Sequence, residues 1–154
     1  MRTTADILGV KLPDSAAEDS VSILPAMLGK AASPLREATV HHSINGSFSI
    51  RQGKWKLVLC PGSGGWSNPR PGQHDTSKLP LVQLFDLEAD VGEQRNVQGD
   101  NPEVVARLTK LLEKQVADGR STPGAAQSNN GEVDIWKAAR AAHQPLAAKK
   151  AKKN

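Results

Sequence analysis

Few side chains in this 154-residue sequence have the type and spacing to do chemistry, and most of them fall into three groups. His41 and His42 stand together before Ser43; if they lie on a strand, they point to opposite faces, so only one imidazole can look toward a common site. Trp66, Arg70 and His74 share a Gly- and Pro-rich stretch, where a Trp can stack on a sugar or aryl ring and an Arg can pair with an oxyanion. The plainer alternatives are an edge-strand polar residue for the first group and loop filler for the second. Arg51, Lys54 and Lys56 make a cationic row that suits an acidic glycan, or equally the solvent face of a half-buried sheet. Cys60 is the single cysteine, which excludes an internal disulfide and a multi-cysteine metal site. Acidic residues are scattered with no Asp-Asp pair, so no metal site is expected from this chain alone. Asp100-Asn101, followed by Pro102 and an amphipathic run, reads as a helix cap.

The elements that must hold these residues can be read from period and punctuation. Residues 3–8 form the end of a helix that Gly9 stops, and 23–28 a short apolar helical segment closed by Gly29. Strands are expected over 39–43, 48–51, 55–60 and 81–87. Asn45-Gly46 provides a two-residue turn between the first two strands, and Gln52-Gly53 leads into the third. In that third strand Trp55, Leu57 and Leu59 share one face, Lys56 and Val58 the other. Residues 61–80, with four Gly and four Pro, form a long loop of the kind that is either functional or disordered. Asn101 as N-cap, Pro102 at the first helical position, and Val104, Val105, Leu108, Leu111, Leu112 and Val116 at helical spacing predict a helix ending at Gly119. Its apolar stripe needs a surface to bury against, and the sheet is the one available. The fold expected is α+β: a small four-stranded antiparallel sheet packed by one long C-terminal helix, with short N-terminal helical segments and a long Gly/Pro-rich loop.

Composition narrows the class. The length fits one modest core, and two Phe, three Trp and no Tyr leave few aromatic anchors. The formal charge of +4 is accounted for by Lys149, Lys150, Lys152 and Lys153, so the body is balanced and no nucleic-acid partner is expected. That Ala/Lys-rich end reads as disordered or frayed helix. The first residues hold no apolar run long enough for a signal peptide or membrane span, so no membrane partner is expected and the compartment stays open. A helix opening almost at Met1 predicts that a further segment once preceded it.

Phe48-Ser49-Ile50-Arg51-Gln52-Gly53-Lys54-Trp55-Lys56-Leu57, followed by Phe85-Asp86-Leu87, acidic residues, Glu93 and Asn96, resembles the C-terminal subdomain of the type I sulfatases, the arylsulfatase-like hydrolases. The resemblance begins near Thr3, where Gly9-Val10-Lys11-Leu12-Pro13 is similar to the turn leaving the sulfatase catalytic domain, and runs through Gly119-Arg120-Ser121-Thr122-Pro123-Gly124. It implies three segments: 1–34 as the end of a catalytic domain and connector, 35–120 as the sheet-and-helix subdomain, and 121–154 as an extended tail. It also implies a calcium ion and a formylglycine in the full-length enzyme, made from the Cys or Ser of Cys/Ser-x-Pro-x-Arg. Cys60-Pro61-Gly62-Ser63-Gly64 departs from that motif, with Pro one position early and Gly64 in place of Arg. No catalytic or metal residue is therefore carried over. A His near the start of the sheet can lie at the rim of the substrate pocket in relatives, which makes His42 a substrate-binding candidate with Trp66, Arg70 and His74. The expected partners are a missing catalytic domain or companion chain and a sulfated small molecule or glycan; relatives are often exported. Two other functions fit the same residues: a non-catalytic module binding an anionic glycan or a partner chain, and a fragment of a phosphonate or phosphodiester hydrolase.

Overall fold

The computed structural model describes residues 1–145. Its elements are α1 (Arg2–Ile7), α2 (Leu24–Met27), β1 (Thr39–His42), β2 (Phe48–Gln52), β3 (Trp55–Val58), β4 (Gln83–Asp86), α3 (Pro102–Ala117) and α4 (Lys137–Ala142). The Lys-rich end, expected to be disordered or frayed, lies outside the described residues. No helix among the described residues is long and apolar enough to cross a membrane.

The four strands form one antiparallel sheet in the order β1-β2-β3-β4, each hydrogen-bonded to its successor. Consecutive strands are neighbours because the connections are short turns or, between β3 and β4, one long loop. In register, Ile50 opposes Leu57 and Leu57 opposes Leu84, and all three are fully buried. This apolar row is what the period-2 pattern of β2 and β3 encodes, and burying each such side chain is worth roughly 1.5–3 kcal/mol. β3 is shorter than the alternation suggests, yet pairing continues past its end through Leu59 N–H donating to Phe48 O at 2.8 Å.

α3 starts where Asn101 places its carbonyl under the amides of Val104 and Val105. The Asn101 side-chain amide donates back to Val97 O at 3.0 Å. Val104, Leu108 and Leu112, four residues apart, are its buried stripe. Arg107 on α3 bonds to Gln52, which shares the Ile50 face of β2.

The described chain divides into two compact units. One comprises Met1–Thr39 with Leu111–Val133, and is held by buried Arg120, whose guanidinium pairs with Asp14 at 2.9 Å and donates to Ala125 O and Pro123 O. The other comprises Val40–Lys110 with the residues from Asp134 onward. In it α4, which no sequence pattern announced, buries Ala139 and Ala142, and Ile135 is buried just before the helix. Fully buried Thr76 donates to Ala142 O at 2.6 Å, so the far part of the 61–80 loop is anchored rather than loose.

Candidate functional site

The Ile50–Leu57–Leu84 face of the sheet is spent on the core, which leaves the alternate residues for function. They form two rows across the strands: Ser49 opposite Val58 opposite Gln83, and Arg51 opposite Lys56 opposite Phe85. These residues line an open cavity of about 790 Å³ bordered by His41 and His42 at β1 and by Ser63, Ser67, Asn68 and Pro69 of the long loop. The lining is dominated by hydroxyls, amides and cations.

Three polar members of the Phe-Asp-Leu signature, Asp86, Glu93 and Asn96, have structural partners. Asp86 takes the Lys54 ammonium at 2.6 Å and the Glu88 amide at 3.1 Å. The Lys54 ammonium also lies 4.7 Å from the centre of the Trp55 ring. Glu93, at a left-handed φ of 55°, grips Lys56 with both carboxylate oxygens at 2.6 and 2.8 Å. Asn96 accepts the Leu84 amide at 3.0 Å and donates to Val82 O, closing the outer edge of β4. The Lys54 hydrogen bond draws the Asp86 carboxyl below its ordinary value, and the same bond raises Lys54. Of the cationic row, Lys54 and Lys56 are therefore paired, whereas Arg51, among the described residues, has no carboxylate partner and donates its Nε to Gly53 O at 3.2 Å.

The structure brings three of the four candidate residues together. Arg70 donates through Nε and Nη2 to Trp66 O at 3.2 and 2.6 Å. Its guanidinium lies 5.7 Å from the Trp66 ring centre, and its own amide donates to His74 Nδ1 at 3.1 Å. The Trp66 side chain remains 74% exposed, so the loop presents a ring on a fixed backbone. His42 stands apart: its ring is 3.9 Å from that of Phe48, inclined by 60°. Both His41 and His42 nevertheless border the sheet-face cavity.

Cys60, Asp100 and Asn101 offer no catalytic constellation. The Cys60 thiol is fully buried, its pKa is raised by burial, and it donates to Gly62 O at 3.6 Å. Among the described residues no group of three or more His, Cys, Asp and Glu is placed to hold a metal ion. Among the described residues, Cys60 and the scattered carboxylates therefore fit neither a formylglycine precursor nor a calcium site.

No protein-family model matches the sequence. Over 112 residues, 71% of the chain, it is 37% identical to an N-acetylgalactosamine-6-O-sulfatase of Bacteroides thetaiotaomicron, and spans 21% of that protein. A solved structure designated BT33336S-sulf, from work on glycosaminoglycan metabolism in Bacteroides thetaiotaomicron, superposes on 73% of this chain and 23% of its own, at 34% identity and a TM-score of 0.57. BT4656, solved with its substrate D-glucosamine-2-N,6-O-disulfate, shares the fold at a TM-score of 0.51 and 22% identity, over 73% of this chain and 22% of its own. The chain spans about a fifth of the length of the curated relative it matches.

Proposed function

We propose that this chain, which has the sequence and fold of the C-terminal subdomain of a type I sulfatase, supports the active site of a sulfuric ester hydrolase and presents rim residues to a sulfated sugar, without catalysing turnover alone. The observation that carries the reading is the identity with a sulfatase that acts, by its name, on a sulfated amino sugar. The division of labour within the chain agrees with it. The signature residues Asp86, Glu93 and Asn96 hold the sheet, and the exposed Trp66 with Arg70 and His74 provides a surface suited to a sugar ring and an oxyanion.

Sulfate ester hydrolysis needs a nucleophile, cations for the anionic oxygens and an acid for the leaving oxygen. This sequence supplies cations and a ring platform, and its buried thiol is a poor nucleophile because burial disfavours the thiolate. In the family enzyme, calcium and formylglycine supply the missing chemistry. The test is turnover of an aryl sulfate by the purified chain, with calcium and the formylglycine-generating enzyme present. No turnover is expected. Turnover that survives Cys60→Ala overturns the reading, and turnover abolished by Cys60→Ala overturns it in favour of Cys60.

A second reading, a non-catalytic module for an anionic glycan, is favoured by the exposure and backbone anchoring of Trp66. Affinity for a sulfated glycan that is undiminished by adding a sulfatase catalytic domain, with no gain in that domain's activity, would select it.

A further inference from the structure

We propose that the sheet-face cavity beside the loop is itself an anion-selective sugar subsite, in which Arg51 pairs with a sulfate or carboxylate while Ser49 and Gln83 contact ring hydroxyls. The inference rests on the sulfatase reading only for the choice of a sulfated sugar as ligand. Its first support is charge. Arg51 and Lys56 are directly opposed across β2 and β3, a placement that is unfavourable for like charges. Glu93 neutralises one of them through its bidentate grip on Lys56, so the trio retains one positive charge, on Arg51. A monovalent anion entering the cavity cancels that charge and relieves the repulsion.

The second support is lining. Protein interfaces concentrate apolar and aromatic side chains at the core and exclude charge, but here the centre of the face carries Ser49, Gln83, Arg51 and Lys56, with Val58 and Phe85 as its apolar floor. That mixture of hydroxyl, amide and cation over a small apolar floor matches a sugar better than a peptide. Gln83 is fixed for the purpose, because its Nε2 donates to Cys60 O at 2.9 Å and to Gly62 O at 2.7 Å, which leaves its side-chain oxygen as an acceptor. The cavity is also distinct from the Trp66 platform, since Trp66, Arg70 and His74 do not line it.

The probes are inorganic sulfate, a 6-O-sulfated amino sugar and the same sugar without sulfate, titrated into the purified chain and followed by amide NMR shifts. Saturable shifts at Ser49, Arg51, Lys56 and Gln83 are expected with the first two probes and not with the third, weakening as salt is added. Arg51→Ala is expected to weaken binding about tenfold or more, as the loss of a charge-assisted hydrogen bond does. Glu93→Gln is expected to tighten it, since the local charge rises by one. Arg51 is exposed, so its variant should melt with the parent. If Glu93→Gln unfolds the chain, Arg51→Lys, which keeps the charge and loses the fork, should fall between parent and Arg51→Ala. Shifts confined to residues 66–74, equal shifts with the unsulfated sugar, or no shift at all overturn the inference. The absence of turnover by the chain is a separate measurement, so the reading above can survive its failure.

Discussion

At the residue scale the chain spends its best-made polar contacts on holding shape. Arg120 is 4% exposed and its guanidinium meets Asp14, Thr122 O, Pro123 O and Ala125 O together. Arg120→Ala strips these carbonyls of their donors, and a loss of about 2–4 kcal/mol in a denaturant titration is expected, mostly from the unsatisfied acceptors and the void. Arg120→Lys should recover only part of it, because an ammonium cannot reproduce the fork. Asp14 supplies a pH test. The Arg120 hydrogen bond, then that of the Ala125 amide, lowers its carboxyl below the ordinary value. A depressed carboxyl binds fewer protons in the folded than in the unfolded chain, so its contribution is complete above the usual carboxylate range and is lost as pH falls through and below it. In Asp14→Asn, the difference from the parent should therefore be largest near neutral pH and shrink in acid, when melting is followed from pH 7 down to 2. Trp66→Ala is a different kind of change. A ring 74% exposed adds little to stability, so the variant should melt with the parent and lose affinity for a sulfated sugar if the platform binds one.

At the element scale, what could be read from the sequence was whatever repeats at a fixed period. The four strands, the apolar row of Ile50 and Leu57, and α3 with its Asn101-Pro102 start follow from alternation, turn residues and helical spacing. α4 did not, because six residues with only Ala139 and Ala142 buried carry too little pattern. The pairing of the cations was equally hidden: Lys56 and Glu93 are 37 positions apart, and only the turn after β4 brings them together. The same separation hid the cavity face, whose residues are ordinary singly and informative only in register. Two turns that look alike in sequence also differ in context. Gly53 and Gly119 both have left-handed φ, 58° and 61°, but a Cβ on Gly53 would meet nothing within 4 Å, whereas one on Gly119 would lie 2.3 Å from Gln127 O. Gly53→Ala should cost about 1 kcal/mol, the ordinary penalty for a left-handed alanine. Gly119→Ala should cost clearly more, since the backbone at Gln127 must also move. Parallel denaturant titrations of the two variants check this, and equal losses would mean that the contact at Gly119 yields freely.

At the scale of the whole molecule, the uneven distribution of exposed apolar side chains is informative. Ile7, Leu8, Val10, Ile23, Met27 and Leu28 are all more than half exposed, and all fall in the first unit. They are not on loose chain: α1 is tied by the Arg2 amide to Ser20 Oγ at 3.1 Å, and Thr3 Oγ1 takes the Ile23 amide at 3.1 Å just before α2. Single exposed apolar residues are common, but several on two short helices that touch make a surface of the kind that meets a partner. On the proposed reading the partner is the rest of a sulfatase, of which this chain spans about a fifth. The purified chain should accordingly enhance the fluorescence of a hydrophobic dye under native conditions. Combining Ile7→Ser, Leu8→Ser and Leu28→Ser should remove most of that signal while leaving the melting temperature nearly unchanged, because those side chains contribute little burial to the unit they stand on. A sulfatase catalytic domain added in excess should quench the dye in the parent and not in the triple variant. A parent chain that binds no dye, or a triple variant that loses its cooperative melt, would show that these residues serve the unit's own core and not a docking face.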